Sequence, residues 1–310
     1  MIENLLLSPK YKAFLRCDAP VEFLEGTTYA GKTTVGVFKF MLKVAQSPKK
    51  LHIISGLDLG TIEKNIINKE LGILDIFGPL AQYNAAGRGQ HSLPHIAFKD
   101  RIIYVLGYDN KARWKKALGG QYGCLYIDEI NIADMEYVRE ASMRCDYLMA
   151  TLNPDDPSLP VYSEYINHSR PLAQYAADAP TELNKMLCEE PKPGWVHWFF
   201  SFEHNLGLTP EKKAQIIGNV PMGTKLYKNK IEGLRGRSTG LIFNLRDKNI
   251  IPPKQAKGYK FSMFSCGVDT SYSRTSDDTF AFIFTGITND RKCIQLAERV
   301  YNNRDLQTPL

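Results

Sequence analysis

An eight-residue stretch near the start of the chain reads Gly26-Thr-Thr-Tyr-Ala-Gly31-Lys32-Thr33, which fits the spacing G-x-x-x-x-G-K-[ST]. Glycines at these positions let backbone N–H groups curl around phosphate oxygens, and a helix starting there points its positive end at the anion. Lys32 is expected to reach the β- and γ-phosphates of a nucleotide, and the Thr33 hydroxyl to ligate Mg²⁺. The predicted nucleotide-binding residues are Gly26, Thr27, Thr28, Tyr29, Ala30, Gly31, Lys32, Thr33 and Thr34.

A second group of residues suits the same chemistry: Cys-Leu-Tyr-Ile-Asp-Glu-Ile at 124–130. An apolar strand that ends in two carboxylates supplies what the phosphate loop lacks. Asp128 is expected to hold the Mg²⁺ with Thr33, and Glu129 to orient and deprotonate the attacking water. Because a kinase has less need of the second carboxylate, the pair favours hydrolysis, with Glu129 and Lys32 as catalytic residues.

A third apolar strand ends in polar side chains, in the sequence Ala-Thr-Leu-Asn-Pro at 150–154. Thr151 and Asn153, at the tip of a strand beside the nucleotide, would sense the γ-phosphate and pass that state onward. The alternative is an ordinary Asn-Pro turn without such a role.

The elements that must position these residues alternate between strands and helices. A strand at 21–24 leads into the glycine-rich turn and then into a helix over 32–46, which Ser47-Pro48 ends. This alternation predicts an α/β fold with a mainly parallel sheet and helices on both faces. Further strands are predicted at 51–55, 95–98, 102–107, 124–128 and 147–152, the second and third forming a hairpin, with helical stretches near 58–70 and 133–143.

The second half of the chain has a different texture. A strand is predicted at 195–202, and helices over 209–218 and 223–237. A linker at 250–260 precedes three strands at 261–269, 279–287 and 293–301, which form a meander. We therefore predict an ATPase domain over 1–205, a lid subdomain over 206–250 and a partial third domain over 260–310.

Composition excludes several classes of protein. The 310 residues are 44% hydrophobic and 23% charged, values typical of globular proteins and not of disordered or fibrous chains. No apolar stretch approaches the ~20 residues needed to span a bilayer. The six cysteines form no C-x-x-C pair, so neither a disulfide framework nor zinc is expected, and we expect a cytosolic chain. The net charge of +6 permits a polyanionic partner.

The three motifs, in this order and spacing, resemble those of the large subunit of tailed-bacteriophage terminases, which are viral DNA-packaging motors. Gly26–Thr33 is similar to the family's Walker A loop, Leu125–Glu129 to its Walker B strand, and Thr151–Pro154 to its coupling motif. The tail resembles the first strands of the family's RNase H-like nuclease domain, in which Asp269 would be the first metal-binding residue.

The resemblance implies a P-loop NTPase fold of the ASCE type, ATP and Mg²⁺ as cofactors, and a second divalent-metal site (Mg²⁺ or Mn²⁺) in the complete nuclease domain. It also implies double-stranded DNA, the portal protein of the procapsid and a small terminase subunit as partners, with no membrane. A homo-oligomeric ring, expected to be a pentamer, would work in the cytoplasm of the infected bacterium while transiently docked on the procapsid.

Two departures from the family pattern matter. Many members carry an arginine inside the Walker A loop, whereas this loop has none, so an arginine finger would come from elsewhere. Arg113 is the first candidate, with Arg139 and Arg144 as alternatives. Only Asp269 is placed as a nuclease ligand, with Asp277 and Asp278 as further candidates in a turn, so the chain is expected to be truncated and not to cut DNA.

Other residues leave alternatives open. Tyr11, Phe14 and Arg16 would flank the adenine, or Phe14 and Leu15 would instead seal the core. The basic stretches 111–116 and 225–237 would track DNA phosphates, or would be solvated faces. Trp195 and Trp198 are interpreted as core residues on one face of their strand.

The sequence therefore predicts an ATP-driven motor that translocates double-stranded viral DNA into a procapsid, with endonuclease activity only in the complete protein. One alternative is a P-loop DNA helicase or remodelling ATPase, which single-stranded or forked DNA would stimulate best. Another is a nucleotide-gated assembly protein that binds ATP without turnover, although Asp128-Glu129 argues against it. A small-molecule kinase is less favoured, because no acceptor-site signature is present.

Overall fold

The structure is a computed structural model that describes residues 6–237, 250–252, 255, 257–269 and 279–302, the side chains of Thr279, Phe280 and Asn302 excepted. The chain divides into two compact units, Met1–Thr239 and Gly240–Leu310. Within the described ranges, every helix is too short or too polar to cross a bilayer.

The first unit is built on an eight-stranded sheet. Its strands are β1 (Val21–Gly26), β2 (Leu51–Gly56), β3 (Ala81–Asn84), β4 (His95–Phe98), β5 (Arg101–Gly107), β6 (Tyr122–Ile127), β7 (Cys145–Leu152) and β8 (Trp195–Phe200). They are ordered β3-β4-β5-β2-β6-β7-β1-β8, with parallel pairing from β5 to β8 and antiparallel pairing among β3, β4 and β5. The predicted α/β fold, its mainly parallel sheet and the β4–β5 hairpin are confirmed.

Helices cover both faces of this sheet. They are α1 (Pro9–Arg16), α2 (Lys32–Gln46), α3 (Leu59–Ile62), α4 (Ile73–Phe77), α5 (Lys111–Ala117), α6 (Met135–Ser142), α7 (Pro160–Glu164), α8 (Thr181–Met186), α9 (Pro210–Gly218) and α10 (Lys225–Tyr227). Short π-helical turns continue α3 over Glu63–Ile67 and α10 over Lys228–Glu232, and 3₁₀ turns lie at Ile130–Ile132, Ile166–His168, Ala173–Asp178 and Phe202–His204.

The core lies in two layers, one on each side of the sheet. On β6, Tyr126 packs in the layer that contains Phe40 of α2, whereas Leu125 and Ile127 pack in the layer that contains Trp114 of α5. Because both faces are covered, the central strands read as continuous apolar runs instead of alternating ones. This burial fixes the carboxyl ends of the strands, where the predicted site residues lie.

Two predictions for the region after β7 need correction. Trp195 and Trp198 are three residues apart on β8, so they lie on opposite faces; Trp198 packs against Phe14, and Trp195 against Phe23. Trp198 is a buried core residue as predicted, whereas Trp195 is partly buried against the core on the other face.

The helix predicted over 223–237 is helical only from Lys225 to Glu232. Gly233 ends it with a left-handed backbone at φ 68°, which favours glycine, and residues 234–237 carry no helix.

The second unit contains the predicted meander. Strands β9 (Phe261–Asp269), β10 (Thr279–Thr288) and β11 (Cys293–Asn302) pair antiparallel in the order β11-β10-β9. Several apolar side chains on these strands are exposed, among them Phe264, Val268 and Val300.

Candidate nucleotide-binding site

The loop between β1 and α2 is shaped by glycines and by hydrogen bonds from distant parts of the chain. Gly26 has φ 148°, and a Cβ there would lie 1.8 Å from the Phe200 carbonyl oxygen, so no other residue fits. That carbonyl accepts a 3.0 Å bond from the Thr27 amide. Gly31 starts α2 in the left-handed conformation at φ 89°. The loop thus curls back over the end of the sheet, as phosphate binding by backbone amides requires.

Lys32 is buried beneath this loop. Its ammonium donates to the carbonyls of Gly26 at 3.0 Å and Thr27 at 2.5 Å, and to the Asn153 side-chain oxygen at 3.1 Å. Burial, and then the nearby positive charge of Lys230, lowers the pKa of Lys32 to about 7. A phosphate anion at this position would favour the charged form of the lysine.

Asp128 follows the last residue of β6 and accepts hydrogen bonds from several hydroxyl groups. Its Oδ1 atom accepts bonds from Thr33 at 3.2 Å, Tyr126 at 3.2 Å and Thr151 at 2.5 Å. Carboxylate and hydroxyl oxygens are donors that suit Mg²⁺, which is usually held by one or two protein carboxylates plus phosphate oxygens. The Thr33–Asp128 pair therefore fits the predicted magnesium site.

Glu129 has an unusual backbone. It lies in the left-handed region at φ 51° and ψ 51°, a conformation that costs a non-glycine residue about 1–3 kcal/mol and is concentrated at functional sites. Burial, and then the charge of Asp128, raises the pKa of Glu129. A carboxylate with a raised pKa is better matched to accepting a proton near neutral pH.

The tip of β7 joins the other two motifs. Thr151 bonds to Asp128, and Asn153 bonds to Lys32, so the third strand contacts both groups through side chains. Together these residues line a cleft of about 470 Å³, within the range usual for small-ligand sites. The cleft is lined by Thr28, Tyr29, Ala30, Gly31, Lys32, Thr33, Thr34, Asn65, Lys69, Asp128, Glu129, Thr151, Leu152, Asn153 and Asn205.

Three polar residues of the lining were not predicted from the sequence: Asn65, Lys69 and Asn205. The Lys69 ammonium donates to the Thr34 hydroxyl at 2.8 Å, and the Asn205 amide to the Tyr29 carbonyl at 2.7 Å. Their segments follow β2 and β8, whose carboxyl ends share an edge of the sheet with the nucleotide loop. Polar residues that follow strands ending at this edge could therefore have been predicted to line the cleft.

The aromatic residues of α1 do not reach the cleft surface. Tyr11 is 1% exposed, stacks on Phe200 at 4.1 Å between ring centroids, and donates its hydroxyl to the Ala30 carbonyl at 2.8 Å. Phe14 is fully buried in the core, and Arg16 is exposed and does not line the cleft. The expectation that Tyr11 and Phe14 flank the adenine is therefore wrong; Tyr11 instead supports the loop from behind.

The candidate arginine fingers lie outside the cleft of their own chain. Arg139 makes a two-pronged pair with Glu164, and Arg144 pairs with Glu140. Arg113 lies half-buried on α5. The arginine-finger assignment stays a prediction, and from this position Arg113 would have to act on a neighbouring subunit.

The first basic stretch is neutralised in part by carboxylates of the chain, and the second for the most part. Lys111 and Lys115 both pair with Glu136. In the second stretch, carboxylates pair with Lys225, Lys228, Arg235 and Arg237. Arg235 is 1% exposed and is therefore excluded from contact with DNA phosphates.

Asp269, the predicted nuclease ligand, ends β9 and is exposed, with Ala281 opposite it in the register. Asp277 and Asp278 lie outside the described residues. The nuclease assignment stays a prediction.

The sheet, the glycine-shaped loop and the paired carboxylates define the class of the first unit, a P-loop NTPase fold. No family model matches the chain, and no curated protein matches it. Solved structures do. The large terminase of a thermophilic bacteriophage aligns with 96% of this chain over 69% of its own length, at 17% identity and a TM-score of 0.55.

Two further structures agree with this match. The same large terminase in complex with ADP aligns over the same shares, 96% and 69%, at 18% identity and a TM-score of 0.54. The ATPase domain of the Thermus phage P74-26 large terminase aligns with 76% of this chain and 97% of its own, at 11% identity and a TM-score of 0.54. At these identities the similarity concerns the fold, and at that level it confirms the resemblance predicted from the motifs.

Proposed function

We propose that this chain is an ATP-hydrolysing motor subunit that translocates double-stranded viral DNA into a procapsid. The observation that carries the proposal is the hydrogen bond from Lys32 to Asn153, 3.1 Å long, which joins the phosphate loop to the tip of β7. Lys32, Asp128, Glu129 and Asn153 all line one cleft. Similarity of fold to large terminases supports the packaging role.

In the proposed mechanism, the loop amides and Lys32 bind the phosphates, and Thr33 and Asp128 are the residues that would hold Mg²⁺. The metal would neutralise charge on the phosphate oxygens. Glu129 accepts the proton of the attacking water, for which its raised pKa is suited. The water oxygen bonds to the γ-phosphorus as the bond from that phosphorus to the β,γ-bridging oxygen breaks, so the products are inorganic phosphate and ADP.

Coupling to DNA would begin at Asn153. Asp155 lies two residues after Asn153. Its backbone carbonyl accepts a 3.1 Å hydrogen bond from the Gly236 amide, and its carboxylate pairs with Lys225 at 2.7 Å. A shift of Asn153 when the γ-phosphate leaves would therefore move the segment 225–237, which follows α9.

The remaining parts of the proposal rest on the family resemblance. They are a pentameric ring on the portal, a small terminase subunit that selects DNA, and action in the host cytoplasm. A metal-dependent endonuclease centred on Asp269 belongs to the complete protein. Asp269→Ala should abolish its DNA cleavage and leave ATP hydrolysis largely intact.

The test is ATP binding and steady-state hydrolysis with and without linear duplex DNA. Lys32→Ala should abolish ATP binding, and Glu129→Gln should retain binding while losing turnover by about 10²-fold or more, as loss of a general base requires. Turnover stimulated most by single-stranded or forked DNA would favour a helicase. ATP binding without turnover, both alone and on a portal, would favour a nucleotide-gated assembly protein, and unchanged ATP affinity in Lys32→Ala would refute the phosphate-loop assignment.

A further inference from the structure

The segment that follows α10 lies directly against the nucleotide loop. The Lys230 carbonyl accepts a 2.9 Å hydrogen bond from the Thr28 amide. Three residues later, Gly233 approaches so closely that a Cβ there would lie 3.2 Å from the Thr27 methyl and 3.0 Å from the Phe199 ring. The backbone of Lys230 is therefore fixed relative to the residues expected to bind phosphate.

The same segment is anchored beneath the loop by Arg235. Its guanidinium donates two bonds to the Glu25 carboxylate, both 2.8 Å long, and one to Asn167 at 2.6 Å. It also lies over the Tyr162 ring, 3.9 Å from the centroid. Since Glu25 directly precedes Gly26, this anchor sets the position of Lys230 at the start of the loop.

Lys230 differs from the other cations of this segment. Carboxylates pair with Lys225, Lys228, Arg235 and Arg237, whereas the half-buried Lys230 ammonium has no hydrogen-bond or ion-pair partner among the described residues.

The charge of Lys230 nevertheless acts on two groups of the cleft. After burial it is the largest influence lowering the pKa of Lys32, and it counteracts the raised pKa of Glu129 more strongly than Lys32 does. Two like charges at close range repel each other, and an anion that attracts both would offset this repulsion.

We propose that Lys230 is a ligand of the terminal phosphate of the bound nucleoside triphosphate, supplied by the chain's own segment 225–237. The inference rests on the proposed function, since it presumes that the cleft takes a triphosphate. Lys32 and Lys230 contact adjacent residues of the loop, because Lys32 donates to the Thr27 carbonyl and the Thr28 amide donates to the Lys230 carbonyl. Lys230 is therefore placed beside the β- and γ-phosphates that Lys32 is expected to reach, and the γ-phosphate is favoured because the terminal phosphate carries the most negative charge. Lys230 would thus be a catalytic cation that the same chain supplies beside a phosphate loop with no arginine of its own.

The test compares the affinities of two nucleotides, ATPγS and ADP, in the presence of Mg²⁺. Lys230→Ala should weaken ATPγS binding about tenfold or more, because a charge-assisted contact is lost, and change ADP binding by no more than about twofold. Lys230→Arg should retain most of the ATPγS affinity. Lys212→Ala, which removes an exposed lysine on α9, is the matched control and should change neither affinity.

Unchanged ATPγS affinity in Lys230→Ala would overturn the inference. So would an equal loss for both nucleotides, because a purely structural role would affect ADP as well. Failure of the proposed function gives a different result: the unaltered chain would bind neither nucleotide, or Lys32→Ala would bind both as well as the unaltered chain does.

Discussion

Two glutamates of β1, Glu22 and Glu25, are fully buried, and they differ in what they hold together. Glu22 accepts bonds from Lys39 at 2.5 Å, Tyr147 at 2.7 Å and Trp198 at 2.9 Å, all from α2 and the neighbouring strands. Glu25, three residues on and therefore on the other face, is held by Arg235 and by His197 at 2.9 Å.

The Glu22–Lys39 pair therefore has a structural role, whereas the Glu25–Arg235 pair is expected also to affect nucleotide binding. The partners of Glu22 belong to the core around α2, so this network fixes the helix that carries the nucleotide loop. Arg235 instead comes from the segment that also presents Lys230 to that loop. We therefore expect disruption at Glu22 to change stability alone, and disruption at Glu25 to change stability and nucleotide binding together.

The largest effect is expected for Glu22→Ala, because it leaves the Lys39 ammonium buried without a counter-charge. Removing one partner of a buried pair costs about 3–5 kcal/mol of unfolding free energy. Urea denaturation would measure it, with Lys228→Ala as the control; that substitution breaks the exposed pair with Glu182 and should cost less than about 1 kcal/mol. A loss in Glu22→Ala no larger than in the control would show that the buried network contributes little.

A smaller effect is expected from acid. Burial alone would raise the pKa of Glu25, but Arg235 and His197 outweigh it and lower the pKa from 4.5 to about 2. The folded state then binds fewer protons than the unfolded state between these values. A contribution of about 3 kcal/mol is therefore present above pH 4.5 and is lost as the pH falls towards 2. Unfolding measured across this range should show a pH dependence that Glu25→Gln reduces; parallel curves for the two proteins would contradict the assignment.

The smallest loss of stability, about 2 kcal/mol, is expected for Arg235→Ala. The penalty falls below that of a buried carboxylate left without any partner, because His197 still lies 2.9 Å from the Glu25 carboxylate. Unlike Glu22→Ala, this variant should also bind ATPγS several-fold more weakly, with Arg235→Lys intermediate. Denaturation and nucleotide titration on the same samples would measure the loss of stability and the loss of ATPγS affinity. Equal ATPγS affinity in the Glu22→Ala and Arg235→Ala variants would contradict the separate role of the Glu25–Arg235 pair in nucleotide binding.

The motifs were predictable from sequence because their geometry is local. The spacing from Gly26 to Thr33 predicts a phosphate loop where a strand precedes it and a helix follows. Asp128 and Asn153 could be located at one edge of the sheet because parallel strands bring their carboxyl ends together, and both line the same cleft. The end of the helix at Gly233 could also have been predicted from the sequence, since a glycine at a helix end favours the left-handed conformation that stops a helix.

The residues that sequence reasoning missed are fixed by tertiary contacts. Nothing near Glu25 in the sequence indicates that its partner is Arg235, and in the sequence Lys230 is one basic residue among several. Phe14 was open to two interpretations because an aromatic residue before the first strand serves equally well as a base platform or as core. Its complete burial decides for the core.

The contact between Gly26 and Phe200 has a consequence for the order of folding. β1 lies between β7 and β8, with Phe23 opposite both Ala150 and His197. The two strands that pair with β1 are therefore more than 100 residues further along the chain. The Thr27 amide of the loop gains its acceptor, the Phe200 carbonyl, only after β8 has docked. Such non-local pairings form slowly. Nucleotide affinity should therefore arise at the end of folding of the first unit, and ATP, by binding only the finished site, would draw newly made chains towards the folded state.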